Sequence, residues 1–110
     1  MIERRTNVQA SVTIGTTAGG SSVIDLRGYA GAAFRLASGS TATVTVYGAA
    51  SEAGTYVPLY ALDADLAEVA MSLTSLSTGK GYELPSGCFA WPFLKLVGDA
   101  AGVADVVMKS

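Results

Sequence analysis

Histidine is absent from the 110 residues, and cysteine occurs once, as Cys88. A lone cysteine forms no disulfide within the chain. Without histidine there is no Cys-His metal cluster and no hydrolase triad of serine, imidazole and carboxylate. Charge is scarce too: Asp, Glu, Lys and Arg make up 15% of the chain, against about 25% in an average soluble domain. The net charge is −2, and Arg4 and Arg5 are the only adjacent bases. Nucleic acid is therefore not expected as a partner, because phosphate contacts need clustered Lys and Arg. No run approaches the roughly 18 apolar residues that span a bilayer, and Met1 to Asn7 lacks the apolar segment of a signal peptide. The expectation is a protein kept in a cytoplasm, or assembled there into something larger, with no membrane partner.

What the chain does have is alternation. Thr41 to Tyr47 sets Ala42, Val44 and Val46 against Thr41, Thr43, Thr45 and Tyr47, the period of a strand with one buried face. Gly48 to Gly54 is small and polar and reads as a loop. Thr55 to Tyr60 is extended again, and Pro58, with no amide proton for a ladder, places this second strand at a sheet edge or at its end. Similar stretches surround this pair: Asn7 to Ile14, Val23 to Leu26, Ala30 to Ala37, Gly81 to Leu84, Phe93 to Val97 and Val103 to Lys109, divided by Gly-rich turns. The start of one of them, Ala30-Gly31-Ala32-Ala33, has almost no side chain, which lets another backbone or a bulky neighbour approach closely. Ala61 to Leu76 is ambiguous. Asp63 suits a helix N-cap, but the alternation of Val69, Met71 and Leu73 favours a loop followed by a strand.

Seven to nine short antiparallel strands at this spacing predict an all-β fold, a two-sheet β-sandwich of jelly-roll type. It forms a single domain over residues 6–110. Met1 to Arg5 is expected to be a flexible arm, carrying Ile2, Arg4 and Arg5, that is ordered only when a neighbour receives it. No period of 20 to 50 residues repeats, so a solenoid is not expected.

Candidate chemistry is thin. Asp63, Asp65 and Glu68 form the one acidic cluster. A calcium loop counted from Asp63 needs Gly at 68 and an acid at 74, where the chain has Glu68 and Thr74, so a solvated loop is the preferred reading. Gly15 to Gly20 lacks the Lys-Ser/Thr ending of a phosphate loop. Asp25 and Asp105, within expected strands, suit structural ion pairs with Arg27 or Arg35. Cys88 reads as a small buried hydrophobe. No catalytic residue, cofactor or metal site emerges, and enzyme activity is not expected. Tyr47, Tyr56, Tyr60 and Trp91 are the large aromatics. They suit packing within the domain or a protein interface, or else a platform for sugar rings. So few charges leave part of a surface of about 5,700 Å² apolar or merely small and polar, and partners or further copies usually cover such surfaces.

Two stretches carry a family likeness. Val46-Tyr47-Gly48-Ala49-Ala50-Ser51-Glu52-Ala53-Gly54-Thr55-Tyr56-Val57-Pro58-Leu59-Tyr60 is one. The other is Gly81-Tyr82-Glu83-Leu84-Pro85 with Cys88-Phe89-Ala90 and Phe93-Leu94-Lys95-Leu96-Val97-Gly98. Over residues 41 to 108 the chain resembles small β-sandwich virion proteins of tailed bacteriophages, of the capsid decoration or cement type. The lambda-type decoration protein differs in strand content and turn pattern, so its fold is not carried over. The resemblance implies a decoration protein on the outer surface of the capsid, with the major capsid protein and copies of itself (trimer or dimer) as partners, assembled in the host cytoplasm. It implies no catalytic site. A tail, neck or fibre component of the virion, or a carbohydrate-binding sandwich using Tyr47, Tyr56 and Trp91, are the alternatives.

Overall fold

The computed structural model describes residues 7–29, 31–62 and 64–109. The expected arm, with Ile2, Arg4 and Arg5, lies outside the described residues, as does Asp63. In chain order the strands are β1 (Asn7–Ile14), β2 (Ile24–Asp25), β3 (Gly31–Gly39), β4 (Val44–Ala49), β5 (Val57–Pro58) and β6 (Tyr60–Leu62). β7 (Glu68–Ala70), β8 (Ser72–Leu73), β9 (Gly81–Glu83), β10 (Phe93–Gly98) and β11 (Gly102–Lys109) follow. Short 3-10 turns sit at Ala18–Gly20 and Ser86–Ala90.

One sheet runs β1-β11-β3-β9, and the other runs β2-β10-β4 with β5 and β8 both on the far side of β4. The named strand pairs are all antiparallel. From β1 to β4, and again from β9 to β11, the chain changes sheet at every step. Counting β5 and β8 as one position, each layer has four strands, and the order is that of a jelly roll. The expected all-β sandwich is therefore what forms. The strand total among the described residues is eleven rather than seven to nine, because one edge strand is split and a hairpin, β6–β7, is added.

The alternation read from the sequence puts its apolar side inward, except at the start of the central stretch, where Thr41 is buried and Ala42 exposed. Val12, Ile14, Phe34, Leu36, Ala104, Val106 and Met108 face Ile24, Val44, Val46, Leu94 and Leu96 across the layer gap, all buried in one cluster. Cys88 joins them with no exposed surface, and burial pushes its thiol up to about 11. β3 carries an extra residue opposite the Val103/Ala104 step of β11, a β-bulge that increases local twist.

The strand expected from Thr41 begins only at Val44. The Asp99 carboxylate accepts hydrogen bonds from the backbone amides of Ala42 (2.9 Å) and Thr43 (3.1 Å), and Thr41 Oγ1 donates to the Ala100 carbonyl at 2.6 Å. The turn after β10 therefore takes the polar groups that a ladder would have used. Gly102 fits against Thr41 because a Cβ there would lie 2.7 Å from Thr41 Oγ1.

Candidate functional site: a hairpin extruded from an edge strand

β4 has two partners in series on its outer side. Tyr47 faces Pro58 of β5, and Thr45 faces Ser72 of β8. Two residues of β4 (47 to 45) are thus matched by fourteen of the partner (58 to 72), an excess of twelve. Both halves meet at Val46. The Leu59 amide donates to the Val46 carbonyl, and the Val46 amide donates to the Met71 carbonyl, each at 3.0 Å. The Met71 amide donates to the Leu59 carbonyl at 2.9 Å and ties off the root. Leu59 is buried in the core and Met71 packs against it, so the root is anchored. Pro58 stands in an edge strand, as its missing amide requires.

Beyond the root the chain runs out as β6, a turn, and β7, a two-stranded sheet with register Tyr60↔Ala70, Ala61↔Val69 and Leu62↔Glu68. This is where the expectation of a loop followed by a strand over Ala61 to Leu76 is corrected. Three-residue strands rich in alanine carry too little β-branched alternation to be seen in the sequence. All six paired residues are exposed, so both faces of the hairpin meet solvent.

Its apolar content is unusual for such a position. Among the described residues Tyr60 (52%), Leu62 (63%), Leu66 (76%) and Val69 (49%) are four of the six large hydrophobics left exposed, and Val57 at the root is a fifth. Leu66 sits in the turn at φ 61°, left-handed backbone that costs a branched side chain about 1–2 kcal/mol and suits Gly or Asn better. An isolated two-stranded hairpin is marginal in water. This ribbon nevertheless carries two leucines, Leu62 and Leu66, at its outer end in solvent. Residues 60–70 also hold three acids, Asp63, Asp65 and Glu68, and no base. With the whole chain at −2, the remainder carries +1 (−2 less −3).

The aromatics expected to act together fall in three settings. Tyr60 stands on the hairpin. Tyr47 lies half-buried on the outer face of its sheet, opposite Lys95 of β10. Lys95 Nζ lies 4.4 Å from the centroid of the Tyr56 ring and donates to the Ala18 carbonyl at 2.8 Å, so one ring face of Tyr56 is covered. Burial, then the Glu52 charge, raises the Tyr56 pKa. Trp91 packs against the core, its ring 3.0 Å from where a Cβ on Gly48 would sit. Tyr47 and Tyr56 thus both adjoin Lys95, while Trp91 packs against the core.

The expected ion pairs are present. Asp25 accepts from Arg27 at 2.8 Å, and that bond holds its carboxyl below the usual range; Asp105 accepts from Arg35 at 2.6 Å, across β11 and β3. Glu68 and Asp65 are exposed on the hairpin. No helix of the described residues is long and apolar enough to cross a membrane.

Two antiparallel layers in jelly-roll order, with a hairpin carrying exposed apolar side chains let out of one edge, define the class: a jelly-roll β-sandwich. No protein-family model and no curated protein matches the chain. Among solved structures it is similar to the crystal structure of the SPBc2 prophage-derived protein YomS, with a TM-score of 0.52 and 13% identity over 100% of both chains. At that identity the likeness is one of fold.

Proposed function

We propose that this chain is a structural protein of a tailed-phage virion, a capsid decoration or cement protein that binds the outer surface of the major capsid lattice and is not an enzyme. The observation that carries the reading is the β6–β7 hairpin, whose exposed Tyr60, Leu62, Leu66 and Val69 call for a protein partner. Supporting it are the low charge, the likeness over residues 41 to 108 to small virion sandwiches, and a fold similar to that of a prophage-derived protein. Many modest contacts repeated over a lattice hold by avidity, so no single deep site is needed. On this reading Met1 to Arg5 reaches the lattice, with Arg4 and Arg5 pairing with acidic groups there.

Mass spectrometry of purified particles tests it. A decoration protein is present in copy number comparable to the major capsid protein. A few copies per particle point instead to the tail, neck or fibre, and absence from particles overturns the reading.

A further inference from the structure

Where β3, β9 and β11 lie side by side, small residues open a trough. Gly31, Ala32 and Ala33 of β3 line it together with Leu84, Phe89 and Val107, and Glu83 and Lys109 add one charge of each sign. Its volume is about 530 Å³, within the roughly 300–1,000 Å³ of cavities that take up ligand groups. Val107 is 43% exposed, among the described residues the one large exposed hydrophobic that lies away from the hairpin and its root. Gly31 to Ala33, part of the run read in the sequence as a place of close approach, thus lie beside an open apolar hollow.

Hairpin and trough share one flank of the molecule. Met71, at the hairpin root, lies against Gly87, where a Cβ would meet its Cε at 2.6 Å. Gly87 belongs to the turn Ser86–Ala90, whose Phe89 is a wall of the trough. A two-fold interface needs donor and acceptor surfaces on the same face, and this flank offers both.

We infer that the occupant of the trough is the hairpin of a second copy of this chain, and that two copies exchange hairpins about a two-fold axis. Area decides between exchange and a single insertion. Tyr60 and Leu62 on one face of the hairpin, with Leu66 at its turn, leave on the order of 350 Å² in solvent, so one seated hairpin with its trough removes roughly 700 Å² and a reciprocal pair about 1,400 Å². The first lies within the range of casual packing contacts; the second is the size of specific, stable interfaces. Leu66 fits the same picture, because a left-handed turn keeps a leucine when the side chain is needed for a contact rather than for the turn. Hairpin exchange presupposes the docking role proposed above but not the shell. A dimer that binds no shell leaves it standing and sinks decoration, while a monomer present on particles at lattice copy number does the reverse.

Sedimentation velocity on the full chain reads it directly. The wild type runs as a dimer. Leu62→Asn with Leu66→Asn, and separately Ala33→Trp, which fills the trough, each weaken dimerisation roughly tenfold or more while the thermal midpoint holds. A wild type that stays monomeric up to about 100 µM, or an Ala33→Trp variant as dimeric as the wild type, overturns the exchange. Should Ala33→Trp unfold early, oxidative trapping decides, since buried Cys88 stays out of reach. Leu66→Cys and Ala33→Cys in one chain give a covalent dimer that neither substitution gives alone. A dimer from Leu66→Cys alone sets hairpin against hairpin, and no trapped dimer leaves the trough empty; either result overturns the inference.

Discussion

At the scale of single residues, Asp99 does the most with the least. Its carboxylate spans the amides of Ala42 and Thr43, and those bonds hold its pKa below the ordinary value. A carboxyl depressed in the folded state contributes stability that is fully present above its unfolded pKa, and loses it as the pH falls through the lower folded value. The expected outcome is a thermal midpoint that drops below about pH 4, with Asp99→Ala starting lower at neutral pH and falling less steeply in acid. A calorimetric pH series on both proteins checks this, and parallel acid limbs would contradict it. The Asp25–Arg27 pair adds to the same limb, since its carboxyl is depressed as well. These two residues show what the sequence makes legible and what it hides. Asp25 and Arg27 lie two apart in an extended stretch, so they share a face and their pairing can be read directly. Asp99 reaches residues 41 to 43 only because the sandwich folds the turn back on them. Alternation alone therefore starts β4 three residues too early.

At the scale of elements, the split edge strand divides the molecule into a scaffold and an addition. Val44 and Val46 point inward and Thr45 and Tyr47 outward, as their alternation says, and Pro58 marks the edge, as its chemistry says. The hairpin was not legible because the signal for an insertion is one of register, which exists only once β4 is beside its two partners. Deleting residues 60–71 joins Leu59 to Ser72 and leaves each facing its original place along β4: Leu59 by Val46, Ser72 by Thr45. The shortened chain is expected to fold, losing about 1–2 kcal/mol, since loop length changes closure entropy only slowly while Met71 gives up its packing against the core. Chemical denaturation measures this. A loss of several kcal/mol would mean that the hairpin is part of the core unit.

For the whole molecule, the two proposed contacts lie on different parts of the chain and separate experimentally. Removing residues 1–5 is expected to leave self-association and the unfolding midpoint of the free protein unchanged. Binding to shells weakens, most at low salt, where Arg4 and Arg5 are least screened. Co-sedimentation with shells over a salt series reads this, and equal binding by the shortened and full chains would assign the lattice contact to the sandwich body. The size of the hairpin insert has a further consequence. Twelve is even, and a strand turns its side chains over at every step. An insert of ten or fourteen would therefore return Ser72 to the outer face and Leu73 to the inner one, whereas eleven or thirteen would turn both over or demand a bulge. The length of this excursion is thus quantised in pairs: related chains can differ widely in how far the hairpin reaches, but they should do so in steps of two.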